Sequence, residues 1–286
     1  MKFSFLGVGN MGKPLAMNLL KAGEELLIYS RRADCQEEFA KAGAKVAKNI
    51  QELAACDVLC TCLPMPQHIL EAVLGENGLY AHMPKGSIHL ELSTIDPATA
   101  EILAADAADK GIEYIQSTVS KTPAVAAAGE APLFLGGSQK AIEKLLPILQ
   151  QIAKPYNLQT IEASCAVKLI SNLIGMSNIA LVAEGLRIGR SAGIDGEELL
   201  NLLLDTGCAS YQMKVRGPWM LAGDFNARFS IDIAAKDLRL GCAMARSLGY
   251  EPKLMEQTLR YLERGGAEGI GEEDVCALYK LIDQAQ

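Results

Sequence analysis

The stretch Gly7-Val8-Gly9-Asn10-Met11-Gly12 lies between an apolar segment and a helical pattern near the start of the chain. Residues 2–6 have the composition of a buried β-strand, and residues 14–23 follow a helical period that ends at a glycine. In such a Gly-x-Gly-x-x-Gly turn, the first glycine allows the bend, the second lets the backbone approach a pyrophosphate, and the third lets the helix pack against the sheet. The helix N-terminus then offers N–H groups to the phosphates. This context favours dinucleotide binding over a plain tight turn, and it assigns that binding to Gly7, Gly9, Asn10, Met11 and Gly12.

The end of the second predicted strand, residues 25–30, indicates which dinucleotide binds. An NAD site usually has an acidic residue about 20 residues after the glycine loop to accept from the ribose 2′-OH, whereas arginine suits a 2′-phosphate. Here Ser30 is followed by Arg31 and Arg32, and the first acid, Asp34, is already in the next loop. Two adjacent guanidinium groups offer charge-assisted contacts to a phosphate. We therefore expect NADP, with NAD possible, at a site that includes Ser30; the alternative is two solvated arginines.

The composition is that of an ordinary soluble protein. With 286 residues the chain can hold two domains, and its net charge of −7 gives no basic bias toward nucleic acid or an anionic membrane. The eight cysteines are expected to be reduced, as in a cytoplasmic protein. The three histidines form no ligand-spaced cluster, so no metal site is expected.

From the sequence we expect neither a targeting segment nor a membrane-spanning segment. Met1 leads directly into the first predicted strand, so no signal peptide is expected. The apolar residues 179–183 are followed by Glu184, and that run is far too short to span a bilayer.

Residues 1–163 alternate between strand and helix patterns. This alternation predicts an α/β domain of the Rossmann type, with a doubly wound, mostly parallel sheet and helices on both faces. Its ligand crevice should lie at the C-terminal ends of the strands. Further predicted strands cover residues 58–63, 87–92, 113–119 and 131–135, and helices include residues 97–110 and 139–152.

Strand patterns stop after residue 163, and residues 164–286 are expected to form an all-helical domain for substrate binding and oligomerisation. Residues 164–192 form one long, mostly apolar helical run, which ends at Gly193. A long apolar helix in a small domain suggests a homo-oligomer, a dimer or tetramer, although it could also be buried within one subunit. Further helical segments cover residues 195–204, 211–219, 231–248, 252–263 and 272–285.

Several motifs, in this order and at these spacings, carry a family resemblance over nearly the whole chain. The sequence resembles the β-hydroxyacid dehydrogenases of the 3-hydroxyisobutyrate dehydrogenase group and, more distantly, 6-phosphogluconate dehydrogenase. The motifs are the glycine loop and its helix up to Leu19, Cys62-Leu63-Pro64, Glu91-Leu92-Ser93-Thr94, Lys168 with Asn172, Gly223-Asp224-Phe225 ahead of Phe229, and Lys236-Asp237-Leu238.

The resemblance implies that Lys168 is the catalytic residue. In the family, the lysine at this position protonates the carbonyl oxygen as hydride arrives and acts as the base in the reverse direction. Partial desolvation on an apolar helix surface would lower its pKa toward a useful value. Asn172, one helical turn further, would hold the substrate hydroxyl or orient the ammonium. The alternative is a lysine that extends its ammonium to solvent.

Other site residues are implied in the same way. Lys236 and Asp237 resemble the lysine–aspartate pair that closes over nicotinamide and substrate, and the alternative is a surface ion pair. Leu63-Pro64 and Ser93-Thr94 would line the nicotinamide ribose and ring, the alternative being ordinary turns at strand ends.

One departure from the family pattern concerns the substrate loop. Where the family has Ser-Gly-Gly to wrap the substrate carboxylate, this chain has Ser120-Lys121-Thr122. The ammonium and hydroxyl of the new pair are both able to hold an anion. This favours an acidic substrate whose anionic group differs in position or type from that of 3-hydroxyisobutyrate, a sulfonate among the possibilities. The alternative is a rearranged loop with Lys121 in solvent.

The sequence thus predicts an NADP-preferring oxidoreductase that acts on a short, acid-bearing aldehyde or hydroxy acid, with the protein positioning the cofactor and substrate. Imine reductases look similar in fold but usually depart from lysine at the catalytic position, so Lys168 argues against that chemistry. A non-catalytic dinucleotide-binding protein on the same scaffold could lose its general acid, whereas this chain keeps Lys168, Asn172 and Lys236. Fold alone would not separate these alternatives.

Overall fold

The computed structural model describes residues 1–283, so residues 284–286 of the predicted helical domain lie outside the described part. Contacts divide the chain into two compact units, unit 1 from Met1 to Lys168 and unit 2 from Leu169 onward. The sequence placed the boundary at residue 163, whereas this division falls within the long helix α7, Ile161–Ser191.

Unit 1 contains an eight-stranded sheet in the order β3-β2-β1-β4-β5-β6-β7-β8. All neighbouring strands are parallel except β6 and β7. The strand order reverses beside β1, which is the usual place for a ligand crevice in an open α/β sheet. The predicted fold class is therefore confirmed. The strands are β1 (Lys2–Leu6), β2 (Glu25–Tyr29), β3 (Lys45–Val46), β4 (Val58–Thr61), β5 (Ile88–Glu91), β6 (Glu113–Val119), β7 (Pro132–Gly137) and β8 (Lys154–Asn157).

Two apolar cores lie on the two faces of this sheet, because successive strand residues point to opposite sides. On one side Phe5, Cys60 and Leu90 pack with Leu15 and Leu149. On the other side Leu59 and Tyr114 pack with helical residues of a separate cluster. The helices of unit 1 are α1 (Gly12–Lys21), α2 (Ala33–Lys41), α3 (Pro66–Val73), α4 (Pro97–Asp109), α5 (Pro123–Ala127), α6 (Gln139–Ile152) and the first turns of α7.

Unit 2 is helical apart from one isolated bridge between Ser230 and Asp274 in its described residues. Its core joins Ile179 and Leu186 of α7 to Leu238 and Leu262. The helices that follow α7 are α8 (Gly196–Leu204), α9 (Tyr211–Ala222), α10 (Ile231–Ser247), α11 (Lys253–Ala267) and α12 (Leu278–Asp283).

Helix α7 is, among residues 1–283, the one helix long and apolar enough to cross a membrane by length and composition. The apolar residues 179–183 are only part of this helix, which continues through Glu184, as expected from the helical run at residues 164–192. Half of its most apolar stretch is buried inside the protein. Since Ile179 and Leu186 belong to the core of unit 2, this is the pattern of a core helix.

All eight cysteines are free thiols, and most of them are buried. Cys62 is half-buried and Cys208 is exposed. Burial raises the pKa of Cys56 to about 11 and that of Cys165 to about 12.

Candidate active site

The glycine loop connects β1 to α1, and backbone crowding requires glycine at two of its positions. Gly7 has φ 99°, and a Cβ there would lie 2.2 Å from the carbonyl oxygen of Cys62. A Cβ on Gly12 would lie 2.0 Å from the carbonyl oxygen of Gly7. Gly9 is different, because it is exposed and a Cβ there would enter open space. That open space lies before the start of α1, whose N-terminal N–H groups a pyrophosphate could approach, so the loop fits a dinucleotide.

The segment after β2 presents Arg31 and Arg32 to solvent. The backbone N–H of Arg32 donates to Ser30 Oγ at 3.2 Å, which orders the turn. Arg32 also forms an ion pair with Asp34, and this hydrogen-bonded pair raises the pKa of Arg32 and lowers that of Asp34. A 2′-phosphate at this turn would therefore meet the exposed Arg31 and would compete with Asp34 for Arg32.

The turns after β4 and β5 are joined by hydrogen bonds. The N–H of Leu63 donates to Ser93 Oγ at 2.8 Å, and the N–H of Ser93 donates to Glu91 Oε1 at 2.6 Å. Because β1, β4 and β5 are parallel neighbours, these turns lie beside the glycine loop at one edge of the sheet, the edge formed by the C-terminal ends of these strands. Pro64 is exposed and Thr94 is half-buried at this edge.

The loop after β6 begins at the same edge, because β6 is parallel to β5 and ends there. Ser120 continues the pairing with its N–H donated to the Pro132 carbonyl at 3.0 Å. Lys121 has φ 70° and an exposed side chain, so a non-glycine residue holds the left-handed conformation. Thr122 accepts the N–H of Val125 at 3.4 Å and caps α5, which gives its hydroxyl a structural role. The loop is therefore ordered, with the Lys121 ammonium on a flexible, exposed side chain.

Lys168 lies on α7, whose first turns are fixed to the sheet of unit 1. Ser164 Oγ donates to the carbonyl oxygens of Gln116, at 3.3 Å, and Phe134, at 2.5 Å. Thr118 Oγ1 donates to the Ser164 carbonyl at 3.2 Å. Lys168, half-buried, lies one helical turn beyond this attachment. Sequence reasoning missed this anchor, although a serine four residues before a lysine on an apolar helix was the available signal.

Unit 2 holds a buried polar triad. Asn172 Nδ2 donates to Asp237 Oδ2 at 2.6 Å, and Lys236 Nζ lies 2.6 Å from Asp237 Oδ1. The three residues are 8%, 2% and 5% exposed in the order Asn172, Asp237, Lys236, so this is not the surface ion pair considered as the alternative. Because the amide nitrogen of Asn172 donates to Asp237, the Asn172 amide is oriented with its Oδ1 pointing away from that carboxylate. An oriented Oδ1 can accept a hydrogen bond from a hydroxyl or an ammonium.

Comparison with known proteins identifies the family. The profile of the NAD-binding domain of 6-phosphogluconate dehydrogenase matches residues 2–168, more than half of the chain. The profile described as NAD-binding of NADP-dependent 3-hydroxyisobutyrate dehydrogenase matches residues 163–282. The chain belongs to the β-hydroxyacid dehydrogenase family.

Relatives of this β-hydroxyacid dehydrogenase match over almost its full length. It is 30% identical to 2-(hydroxymethyl)glutarate dehydrogenase of Eubacterium barkeri, over 99% of this chain and 95% of the relative. It is 27% identical to NAD-dependent L-serine dehydrogenase of Pseudomonas aeruginosa, over 100% and 99% of the two chains. The crystal structure of a 3-hydroxyisobutyrate dehydrogenase from Salmonella typhimurium superposes with a TM-score of 0.91 at 26% identity, covering 98% of this chain and 99% of that one.

These findings confirm the resemblance drawn from the sequence. The protein is an NAD(P)-dependent oxidoreductase of the class that acts on CH–OH groups. The roles of individual site residues stay predictions.

Proposed function

We propose that this β-hydroxyacid dehydrogenase prefers NADP and interconverts a short, acid-bearing aldehyde, such as a semialdehyde, with the corresponding hydroxy acid. The proposal rests on one observation: four segments of unit 1 lie together at the same edge of the sheet. The glycine loop and the turns after β4, β5 and β6 all lie there. The last of these carries an ammonium, which suits an anionic substrate.

Lys168 is the general acid of the proposed reaction. When bound, the nicotinamide cofactor supplies the hydride. The Lys168 Nζ donates a proton to the carbonyl oxygen of the substrate, and in the reverse direction it takes the proton of the hydroxyl. Asn172 contributes an oriented Oδ1 one turn further along α7, because Asp237 holds its amide nitrogen. Its role is to accept from the substrate hydroxyl or from the lysine ammonium.

Ser120, Lys121 and Thr122 hold the anionic end of the substrate in this proposal. The left-handed backbone at Lys121 supports it, because backbone strain in a non-glycine residue is concentrated at functional sites. A flexible ammonium reaches a carboxylate or a sulfonate placed further from the carbonyl than backbone N–H groups would allow.

Arg31 and Arg32 provide the preference for NADP. Both are exposed directly after β2, and Ser30 orders the turn that carries them. The match to a domain of an NADP-dependent enzyme supports this preference. The NAD-dependent relative shows that a family member can use the other cofactor, so NADH belongs in the test.

A homo-oligomer, a dimer or tetramer, is part of the proposal, as is a cytoplasmic location. The oligomer is supported by a row of exposed apolar side chains on α7, at Ile170, Ile174, Leu181 and Ile188, which are 47%, 49%, 64% and 68% exposed. Such a row is typical of a helix that packs against another chain. Light scattering on the purified protein measures the mass directly, and a monomer would contradict this part.

The test of function follows loss of NADPH absorbance with a panel of succinic, methylmalonate and tartronate semialdehydes, sulfolactaldehyde and one cyclic imine, with NADH in parallel. We expect turnover of an acid aldehyde with NADPH. Lys168→Ala should lower kcat by about 10²- to 10⁴-fold, the usual contribution of a general acid. Lys144→Ala, which removes an exposed lysine of α6, is the matched control and should leave kcat unchanged.

Two other results would redirect the assignment. Turnover of the imine alone would favour an imine reductase, whose chemistry the retained Lys168 argues against. NADPH binding without turnover of any compound would favour the non-catalytic alternative.

A further inference from the structure

A row of buried polar groups lies directly beneath the turns that end β4 and β5. Thr61, His89 and Glu91 point to the same face of the sheet, where Tyr80 meets them from a short 3₁₀ turn. Tyr80 Oη lies 2.5 Å from His89 Nδ1, His89 Nε2 lies 2.7 Å from Thr61 Oγ1, and Thr61 Oγ1 donates to Glu91 Oε2 at 2.5 Å. All four side chains are at most 1% exposed, so these hydrogen bonds are shielded from solvent.

The hydrogen-bonding capacities of these groups fix the direction of the row. Burial lowers the pKa of His89 to about 3, so the imidazole is neutral and has one donor and one acceptor nitrogen. Thr61 uses its single O–H toward Glu91, so it must accept from the N–H of His89 Nε2. His89 Nδ1 then accepts from Tyr80, whose O–H is kept because burial and the nearby Glu91 charge raise the tyrosine pKa. Every proton in the row therefore points toward the Glu91 carboxylate.

Glu91 also holds the two turns that follow β4 and β5. Its Oε1 accepts the N–H of Ser93, and Ser93 Oγ accepts the N–H of Leu63. Gln116 Nε2 donates to the carbonyl oxygen of Ser93 at 3.2 Å, and Tyr114 Oη holds Gln116 Oε1 at 2.6 Å. The N–H, the carbonyl and the hydroxyl of Ser93 thus each have a hydrogen-bond partner, and the turn has little freedom to move.

We propose that Glu91 is a positioning residue for the nicotinamide half of the cofactor. The row Tyr80–His89–Thr61 fixes its carboxylate, and the carboxylate fixes the Ser93–Thr94 and Leu63–Pro64 turns. The placement of the nicotinamide against these turns rests on the proposed function. The direction of the row does not, because it follows from residues of unit 1 alone.

Replacing the carboxylate by an amide has a distinctive consequence. In Glu91→Gln, the amide oxygen still accepts from Ser93, but the amide nitrogen now donates to Thr61 Oγ1. Thr61 then turns its O–H to His89 Nε2, and the imidazole proton moves to Nδ1. The Nδ1–H donates to Tyr80 Oη, whose own O–H turns away from the ring, so the row reverses without moving the turns. In Glu91→Ala, the Ser93 N–H loses its acceptor and the turn is released.

The first measurement is the ¹⁵N NMR spectrum of histidine-labelled protein without cofactor, in which the two neutral tautomers differ. His89→Gln identifies the signal of this ring. We expect the Nε2–H tautomer in the unchanged protein and the Nδ1–H tautomer in Glu91→Gln. A merely space-filling role of Glu91 would not exchange the tautomers, and an Nδ1–H ring in the unchanged protein would overturn the proposal.

The second measurement is calorimetric titration with NADPH and NADH. We expect Glu91→Ala to weaken the Kd for the preferred cofactor about tenfold, which equals about 1.4 kcal/mol, and Glu91→Gln to stay within about threefold of the unchanged protein. Ser138→Ala is the control, because it removes a helix cap and a bond to Glu113 at the opposite edge of the sheet. The control should bind cofactor normally.

Each outcome bears on the proposal separately from the substrate. Normal cofactor binding by folded Glu91→Ala, or an equal loss in Ser138→Ala, would overturn it. If Glu91→Ala does not fold, Glu91→Gln decides, since an unexchanged tautomer or a tenfold weaker Kd in that variant contradicts the row. Weaker binding in Glu91→Ala with no aldehyde reduced would remove the proposed substrate and leave the positioning role intact.

Discussion

The glycine loop after β1 and the loop after β6 both end strands at the same edge of the sheet, but they constrain their residues differently. At Gly7 and Gly12 a Cβ would lie only 2.2 and 2.0 Å from a carbonyl oxygen, far inside van der Waals contact. At Lys121 the backbone is left-handed, with φ 70°, yet the side chain extends into solvent. Crowding forbids every side chain, whereas a left-handed conformation only costs about 1–2 kcal/mol.

A loop can therefore require glycine for two different reasons, backbone crowding or a left-handed backbone conformation. The first loop needs glycine because two backbone segments touch, so its sequence is fixed by packing. The second loop needs only a backbone conformation, which a lysine can adopt at a cost. A side chain can therefore change in the second loop without change in the fold.

The largest expected effect comes from Gly12→Ala. The added methyl would collide with the carbonyl oxygen of Gly7, and α1 would have to move away from the sheet. We expect unit 1 to lose about 3 kcal/mol of unfolding free energy or more, the upper range for overpacking, together with cofactor binding. Urea unfolding measures the loss; stability within about 0.5 kcal/mol of the unchanged protein would show that the loop relaxes freely.

Gly9→Ala sharpens the same point, because its methyl meets only open space. We expect unfolding free energy within about 0.5 kcal/mol of the unchanged protein. Cofactor affinity should fall about tenfold or more, since the methyl takes the place of the pyrophosphate. Calorimetric titration with NADPH tests this, and unchanged affinity would mean that the phosphates bind elsewhere.

Two substitutions at Lys121 separate its charge from its backbone strain. Lys121→Ala and Lys121→Gly both remove the ammonium, and each should raise KM for the acid substrate about tenfold, with cofactor KM unchanged. Only Lys121→Gly relieves the left-handed strain, so it should be about 1 kcal/mol more stable than Lys121→Ala. Steady-state kinetics and urea unfolding give the two quantities; an unchanged substrate KM in both variants would place Lys121 outside the substrate site.

The smallest expected effect is that of Thr122→Ala. This change removes the cap of α5 and should cost about 1 kcal/mol or less, because the bond to Val125 is long at 3.4 Å. Thr122→Ser retains the hydroxyl and should restore stability. If Thr122→Ala also raises substrate KM while Thr122→Ser does not, the hydroxyl binds substrate as well as capping the helix.

The sequence predicted the parts of the fold that local pattern determines. The first strand, the strand at residues 113–119 and the helix at residues 139–152 have the predicted bounds. The short edge strands β3 and β8 were not predicted, since two residues carry no periodicity and β8 contains Pro155, which sequence rules confine to edges. The antiparallel pairing of β7 was hidden as well, because it depends on the short connection through α5.

The candidate site was predicted only where a motif carries it. Glu91 and Ser93 belonged to a recognised motif, but their hydrogen bonds to Thr61 and Leu63 cross between strands and have no local signature. His89 was set aside because histidines lacked metal-ligand spacing, although its strand position beside Glu91 placed both side chains on one face. Such contacts follow from strand order, which no single segment encodes.

The uneven burial of the cysteines decides how this enzyme would react with alkylating and oxidising reagents. Thiolate is the reactive form, and burial that raises the pKa of Cys56 and Cys165 leaves almost none of it at neutral pH. Cys208 is exposed, after α8, with its sulfur 3.0 Å from Thr206 Oγ1. A maleimide dye added briefly would therefore attach first at Cys208, in unit 2, and would give a fluorescent or surface-tethered enzyme whose glycine loop remains chemically untouched.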